Sequence, residues 1–504
     1  MKKPVVVKKV SKTVVESGVK REFRTKKKKS ISYTQLIPSN LNLEEIIKAE
    51  EPKFVYSIDL FVHLVHLTIE IPAKKRELMG KNGYVPFHTP YLQPKSRDYH
   101  KHLEYLVLQG ILETDNQHIV GKKSRCYRIS EKYLSERLVE IDITDEKLVK
   151  KIGNEHSIDF HARMKYADLY EWFNDKITID FEGAMEYCYE ELEKEKKENY
   201  YDAYSKAYSN ILKMHMLKNR IYWFNVDEFG KRLHTNFTNL TKGLKPFISY
   251  NNIPLVSIDI PNSQPLLSLK VLKEKFPSIT FNNNNQNKPN PLPPLILVKQ
   301  AETPTPIDVQ RYADLVISGT FYGVLEQEMR KKFGGSYFTR KKIYDFDKGK
   351  TVINTKTPRQ MVKAVTYQVF FSKNYYRLKK NKKLVKYVTR EKELFSKLFP
   401  TVMQVFEQYK DNLSHPEKDR HKALAKALQR IESRLMLDKI APELAKQKPC
   451  MPRYTIHDSF VTTLGNEEFV KSIMKDFLIK EIGFSPELIP EIWCKDCGGI
   501  KKAA

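Results

Sequence analysis

The sequence predicts an α+β protein, and three observations carry that expectation. Apolar residues spaced three and four apart, the period of a helix packed on one face, recur through the first half of the chain and again in its middle. Two short apolar runs of strand character lie far apart, each with one aspartate near its end. They are Leu255-Val256-Ser257-Ile258-Asp259-Ile260, closed by the turn-forming Pro261-Asn262-Ser263, and Arg453-Tyr454-Thr455-Ile456-His457-Asp458-Ser459-Phe460. The chain has 504 residues, 41% of them hydrophobic, which leaves room for roughly two to four structural units with genuine cores.

Charge sets the class of partner. Lys and Arg number 88 against 61 Asp and Glu, a net charge of +27 that suits contact with a polyanion. Twenty-eight Tyr and 26 Phe interleaved with those cations add stacking capacity. The five cysteines, Cys126, Cys188, Cys450, Cys494 and Cys497, are odd in number and scattered, so no disulfide framework is expected and a reducing, cytoplasmic interior fits best. Cys494-Lys495-Asp496-Cys497 has the spacing of half a zinc knuckle without a second pair nearby. No apolar run is long enough to span a membrane, and the N-terminus lacks the apolar core of a secretion signal.

Residues 1–50 open on Lys2-Lys3, Lys8-Lys9 and Lys26-Lys27-Lys28-Lys29 with little apolar periodicity, and read as a flexible basic arm. Such an arm can neutralise phosphates, address the chain to a compartment or solubilise it. Over 54–138 the pattern changes. Val55, Leu60, Leu64, Leu67 and Ile69 form one amphipathic helix, and Tyr99, Leu103, Leu106 and Leu108 a second that stops at Gly110. A short hairpin follows: Ile111-Leu112-Glu113, a turn at Asp115-Asn116, Ile119-Val120, the basic tip Gly121-Lys122-Lys123-Ser124-Arg125, then Cys126-Tyr127-Arg128-Ile129. Helices followed by a hairpin with a basic tip resemble a winged helix, a module that binds duplex DNA or docks proteins. Lys122, Lys123 and Arg125 are its candidate DNA contacts. Residues 140–225 are helical, and their stripe of Tyr187, Tyr189, Tyr200, Tyr201, Tyr204 and Tyr208 is expected in a core. Asn282-Asn283-Asn284-Asn285 and Pro289, Pro291, Pro293 and Pro294 mark 276–304 as a disordered insertion.

The chemistry-bearing residues lie beyond Gly230. Two aspartates at two strand ends can hold two Mg²⁺ ions, which activate a hydroxyl and stabilise a departing pyrophosphate. Between them, Thr357 to Ser372 reads as a helix that starts at Pro358. Arg359, Lys363, Tyr367 and Phe371 recur every four residues along it and therefore share a face, cations first and aromatics after. That face could hold a triphosphate by its charges and stack on its base. A later helix carries Gln429 and Glu432 on one face, either solvated or packed as polar groups under the strands.

Taken in order, these segments resemble the right-hand polymerases of the family A DNA polymerase and single-subunit phage-type RNA polymerase superfamily. Gly230-Lys231-Arg232-Leu233-His234 is similar to the family's arginine segment, and Asp259 followed by Ser263-Gln264 to its first metal-binding motif. The Arg359 helix is similar to its fingers helix, and Ile456-His457-Asp458-Ser459-Phe460 to its second metal-binding motif. The resemblance implies a right-hand fold. Residues 140–225 would be the thumb, 226–275 and 441–504 the palm with a C-terminal tail, 305–385 the fingers and 386–440 a helical connection. It further implies that Asp259, the Ile260 carbonyl and Asp458 hold two Mg²⁺ ions. Arg359, Lys363, Tyr367, Phe371, Gln264 and Leu266 would border the nucleotide, while Arg232 and His457 would contact primer or template.

The implied activity is template-directed nucleotidyl transfer, most simply a phage or mobile-element replication DNA polymerase. Its partners would be a DNA primer-template and nucleoside triphosphates, with replication proteins a further option through the winged helix. Two departures leave the choice of sugar open: Leu266 stands where the DNA polymerases place a gating Glu, and Phe371-Ser372 replaces the Tyr-Gly pair whose hydroxyl lets the RNA polymerases sense a ribose. A single-subunit RNA polymerase is therefore the runner-up, and a non-catalytic replication initiator or regulator the alternative of another class. A reverse transcriptase is disfavoured, since Tyr166-Ala167-Asp168-Leu169 has one aspartate and lies outside the palm. No clustered acids of a proofreading exonuclease precede the motifs.

Overall fold

A computed structural model of the chain describes residues 33–119, 123–134, 137–153, 158–197, 199–280, 305–346, 350–354, 356–380, 383–411 and 417–494. The first part contains β1 (Tyr33–Pro38), α1 (Leu43–Ala49), α2 (Ile58–Lys74), β2 (Val85–Pro86), α3 (Thr89–Leu92), α4 (Tyr99–Leu108), β3 (Leu112–Thr114), β4 (Cys126–Ile129) and β5 (Leu138–Ile143). Helix α2 is capped by the Ser57 hydroxyl and is buried on nearly every side from Leu60 to Ala73. A helix apolar all round must sit at the centre of its module, and α2 packs against β1, α4 and a later helix, Tyr200–Lys218. Strands β2, β4 and β3 form a three-stranded antiparallel sheet in that order.

The basic arm ends earlier than its composition suggests. Residues 33–50 are folded: β1 pairs antiparallel with β5, and Leu36, Ile37, Leu41, Leu43 and Ile47 are buried. The Asn42 side chain accepts the Glu45 amide and caps α1. Two buried histidines of α2 tie down the strand, His63 through Gln35 at 2.8 Å and His66 through the Leu36 amide at 3.1 Å. The lysine-rich stretch upstream masked these signals, and residues 1–32 lie outside the described residues.

The second part runs through α5 (Glu146–Gly153), α6 (Phe160–Lys165), α7 (Ala167–Tyr170), β6 (Ile177–Ile179), α8 (Phe181–Glu195) and α9 (Tyr200–Lys218). Tyr204 and Tyr208 are buried on α9, which packs on both α8 and α2. The chain then forms the hairpin β7 (Phe224–Val226) and β8 (Leu233–Thr235), β9 (Ile248–Tyr250), β10 (Ile253–Asp259) and α10 (Ser263–Lys275).

After residues 281–304, where the expected Asn/Pro insertion lies outside the described residues, come α11 (Ile307–Ile317), α12 (Phe321–Phe333), α13 (Ser336–Thr339), the hairpin β11 (Lys342–Asp345) and β12 (Lys350–Ile353), and α14 (Pro358–Phe371). A second hairpin, β13 (Tyr376–Lys380) and β14 (Lys383–Tyr387), leads to α15 (Arg390–Leu398) and α16 (Pro400–Lys410). Helix α17 (Ala423–Leu435) passes through one π-helical stretch, Met436–Ile440, into α18 (Ala441–Gln447). The last elements are β15 (Tyr454–Ile456), β16 (Ser459–Thr463), α19 (Glu467–Ile482) and β17 (Pro490–Ile492).

The sheet that positions the site has the order β15-β16-β10-β9-β6, with β17 also on β10. Its central β10 is buried from Leu255 to Ile258; α19 packs on it, and α10 packs on α19 and α17. The Trp493 indole closes one side, donating to the Ser257 hydroxyl at 3.2 Å. At the sheet edge, the Tyr454 hydroxyl donates to the Trp172 carbonyl at 2.9 Å, and buried Arg453 pairs with Glu171 at 3.0 Å. Asp168 of the Tyr166-Ala167-Asp168-Leu169 segment faces this same Arg453.

Cys494 is disulfide-bonded. Scattered spacing therefore argued against a framework but not against one bridge. Cys126, Cys188 and Cys450 are free thiols. No helix among the described residues is long and apolar enough to cross a membrane.

Burial gives the N-terminal module a pH dependence. It holds the His63 imidazole neutral down to about pH 3, overriding the pull of nearby Glu70. An unfolded His takes up its proton near pH 6.5, so stability is complete above 6.5 and falls as pH drops towards 3. Thermal unfolding between pH 6.5 and 4 should lose up to about 1.4 kcal/mol per pH unit from this group. His63→Gln should flatten that slope.

Candidate active site

The two aspartates separated in sequence meet at one end of the sheet. Strands β10 and β16 are antiparallel with Asp259 opposite Ser459, so Asp458, one residue earlier in the turn from β15, lies beside the end of β10. The Ile260 amide donates to the Asp458 carbonyl at 3.1 Å and locks the arrangement. That turn has only His457 and Asp458 between the strands, and His457 adopts φ +55°, the left-handed conformation a two-residue hairpin loop demands. A bulky residue held there is a strained feature of the kind that gathers at functional sites.

Electrostatics make this corner a poor home for two bare anions. Burial raises the Asp458 carboxyl above the ordinary range, the charge of Asp259 raises it further, and a bond from Ser263 at the start of α10 works against both. Two carboxylates so placed fit a hard divalent cation. Among the described residues no group of three or more His, Cys, Asp or Glu could hold a metal, so these two side chains and the nearby backbone would need further oxygens from a substrate.

Around the acids lies a buried ionic network. Arg232 follows a turn held by Asp227, whose carboxylate accepts the Gly230 amide at 2.6 Å, the Arg232 amide at 3.0 Å and the His234 imidazole at 3.0 Å. The Arg232 guanidinium donates twice to Glu432 of α17, at 2.7 and 2.8 Å. The Gln264 amide of α10 donates to the same carboxylate at 2.8 Å. Glu432 is 1% exposed, and burial pushes its carboxyl up to about 7 against the pull of Arg232.

Helix α17 approaches the Arg232 turn closely. A Cβ on Gly230 would collide with the Gln429 side chain, and the Ser433 hydroxyl donates to the Gly230 carbonyl at 2.9 Å. The solvated alternative for the Gln429–Glu432 face is thereby overturned. Its i,i+3 spacing was visible in the sequence, but its partner 200 residues away was not.

His457 faces His234 edge to face, ring centres 5.6 Å apart. Burial and the charge of Arg232 lower its imidazole to about 4, and its Nδ1 is buried without a hydrogen-bond partner. It is therefore neutral near pH 7 and keeps one unused bonding position.

Helix α14 forms the opposite wall. Thr357 caps it reciprocally with Gln360, and Pro358 occupies its first turn. Arg359, Lys363 and Tyr367 are exposed along one face and Phe371 is half-buried, as their spacing demands. The Arg359 and Lys363 cations lie 5.0 and 5.7 Å from the ring centre of Tyr322 on α12, a partner the sequence did not announce. Tyr367 and Phe371 stack nearly parallel, 11° apart with centres at 5.5 Å. The Tyr367 hydroxyl is raised by burial and by the charge of Asp458, so this end of the helix lies toward Asp458.

Two buried lysines hold the helix from behind. Lys410 donates to the Val369 and Ser372 carbonyls at 2.6 and 3.3 Å, and Lys392 donates to the Lys373 carbonyl. Ammonium groups at a helix C-terminus satisfy orphan carbonyls and complement its dipole.

Not every expected residue belongs here. Leu266 is 2% exposed and packs in the core beneath α10, so it presents no surface to a nucleotide. Its neighbour Gln264 turns to Glu432 instead. In the N-terminal hairpin, Lys123 pairs with Asp115 at 2.8 Å and Arg125 is exposed beside the Tyr127 hydroxyl, while Lys122 lies outside the described residues.

No protein-family model matches the chain, and no curated protein does. Among solved structures, the chain is similar to the POL domain of Pol1 from M. smegmatis in complex with DNA primer-template and dNTP. The TM-score is 0.31 and the identity 8%, covering 70% of this chain and 73% of that one.

Removing the buried carboxylate should leave Arg232 without its main partner. Glu432→Ala is expected to destabilise the protein by about 3–5 kcal/mol in denaturant titration. Arg232→Ala combined with it should cost clearly less than the sum of the two single changes, because the pair is one unit.

Proposed function

We propose that the chain is a template-directed nucleotidyltransferase, a right-hand DNA polymerase with an N-terminal winged-helix module. One observation carries the reading: of the paired acids Asp259 and Asp458, the second lies toward the aromatic end of a helix whose other end presents Arg359 and Lys363. A triphosphate laid along α14 would have its charges on the two cations and its base against Tyr367 and Phe371, with its α-phosphate near the acids.

In this reading Asp259, Asp458 and the Ile260 carbonyl would hold Mg²⁺, which would supply charge neutralisation and activation of the primer 3′-hydroxyl. The 3′-hydroxyl gives up its proton to water, and its oxygen forms the new bond to the α-phosphorus. The bond between the α-phosphorus and the bridging oxygen breaks, and pyrophosphate leaves. Arg359 and Lys363 carry the negative charge that develops on it. Arg232, fixed by Glu432, and neutral His457 with its unused Nδ1 are placed to hold the primer end or the template base. Leu266 is buried and Phe371 lacks a hydroxyl, so choice of sugar would rest on the shape of the pocket rather than on a polar selector.

The first module fits the same reading. A helix, a strand, two helices and a hairpin, with strand order β2-β4-β3, suit a winged helix, and α4 presents His100 and Lys101 to solvent. Helices α8 and α9 would be the thumb and 305–385 the fingers.

Asp259→Asn and Asp458→Asn should each lower Mg²⁺-dependent primer extension by about 10³-fold or more, since each removes a metal-binding charge. Affinity for a primer-template should change less than about threefold in a binding assay without nucleotide, because counterion release is governed by the cations. Near-normal extension by either variant would remove the polymerase reading.

Arg359→Ala and Lys363→Ala are expected to raise the nucleotide KM and lower kcat together, because a phosphate cation acts in ground and transition states alike. Steady-state extension with varied dNTP would reveal it. An unchanged nucleotide dependence in both would place α14 outside the nucleotide site.

A further inference from the structure

Beyond the C-terminus of α14, residues of β11, of β13 and of the end of α16 line an open cavity of about 490 Å³. Its walls combine rings with cations. Phe346 is the hub, 5.0 Å from Tyr376 and 5.0 Å from Tyr387 at shallow angles, with Tyr344 meeting it edge-on at 4.8 Å. Tyr344 is 51% exposed. Tyr375 also lines the cavity, and the Lys386 ammonium lies 4.6 Å from its ring centre. Lys373, Arg377 and Arg420 bring positive charge to the lining, His421 adds an imidazole, and Asp411 is the one acid among its described residues. Lys410 forms part of the lining while its ammonium is engaged with the carbonyls that end α14.

An apolar ligand would not call for these cations, and a compact anion would leave the rings unused. A chain of bases on phosphates uses both. Aromatic faces accept any base, cations track the backbone, and a cavity of this size suits a nucleotide-sized ligand. The cavity also adjoins Lys373 and Asn374, two and three residues past Phe371, whose stacking partner Tyr367 lies toward Asp458.

We propose that this cavity binds an unpaired stretch of nucleic acid, the template strand ahead of the point of insertion. Binding of a single strand is independent of the catalytic reading; the assignment to the template rests on it. The bases stack on Tyr344 and on the Phe346 cluster, and the phosphates lie against Lys373 and Arg377. The grip tolerates sequence, because stacking and charge carry it rather than base-edge hydrogen bonds.

The test compares the full-length protein with Tyr344→Ala and with Lys373→Ala/Arg377→Ala, all solvent-facing changes that leave the Phe346 stack in place. Fluorescence anisotropy, without nucleotide or Mg²⁺, is read on a labelled 12-base oligothymidylate and on primer-templates with a one-base or a ten-base 5′ template overhang. In the unmodified protein the long overhang should improve affinity about tenfold over the short one, the scale of one stacked base. Both variants should lose most of that gain and bind the oligothymidylate correspondingly more weakly, with short-overhang binding unchanged.

Equal gains from the overhang in all three proteins would overturn the proposal. So would variants that lose short-overhang binding equally, since that is general loss of charge. Weaker oligothymidylate binding in the variants without any overhang gain in the unmodified protein would overturn the template assignment. Primer extension on the one-base overhang is measured in parallel. Its failure in the unmodified protein counts against polymerase activity and leaves the oligothymidylate comparison to decide the cavity by itself.

Discussion

The candidate site depends on a buried carboxylate that cannot be left alone. Glu432 is removed from water, and an isolated charge there would cost several kcal/mol, so the chain must bring a cation and a donor to it. Arg232 supplies two bonds and Gln264 a third. In doing so they fasten three segments to one point: the β7–β8 turn, the start of α10 and the last turn of α17. The π-helical stretch begins four residues past Glu432, and such irregularities inside long helices recur at functional sites.

The same logic runs through the rest of the pocket. Asp259 and Asp458 are neighbours because β10 and β16 pair in one register, and a slip of one residue would take the two carboxylates away from each other. Their mutual repulsion is held in place by a backbone bond and by the Ser263 hydroxyl, a preorganised demand for positive charge. His457 completes this corner in a strained, neutral state. The strain is tolerated because strands on both sides of the turn over-determine it.

Helix α14 has its own constraint. Its outer face must remain polar and accessible while its inner face, from Met361 to Phe370, packs in the core. Buried Lys392 and Lys410 reconcile the two by anchoring its final carbonyls, so the row from Arg359 to Phe371 projects from a rigid rod. Tyr322 adds a ring beneath the cations. The hairpins that follow continue the same combination of aromatics and positive charge into the neighbouring cavity.

Local pattern settled a good part of this in advance. The capping box at Thr357, the four-residue spacing of Arg359, Lys363, Tyr367 and Phe371, and the strand runs that carry Asp259 and Asp458 are all legible because helix and strand periods act over a few residues. The folding of residues 33–50 was legible too, in Leu36, Ile37 and the Asn42 cap, but lay hidden behind the lysines that precede it.

Tertiary structure alone decided which of these residues meet. Arg232 and Glu432 are 200 positions apart, and neither carries a mark of the other. Leu266 looked like a pocket position by its place in a motif, yet the turn of α10 points it into the core. The buried lysines behind α14 and the rings around Phe346 likewise acquire meaning only through neighbours from other elements. Periodicity is a property of adjacent residues, whereas burial, ion pairing and shifted ionisation belong to the packed whole; a linear chain therefore shows its elements before it shows its site.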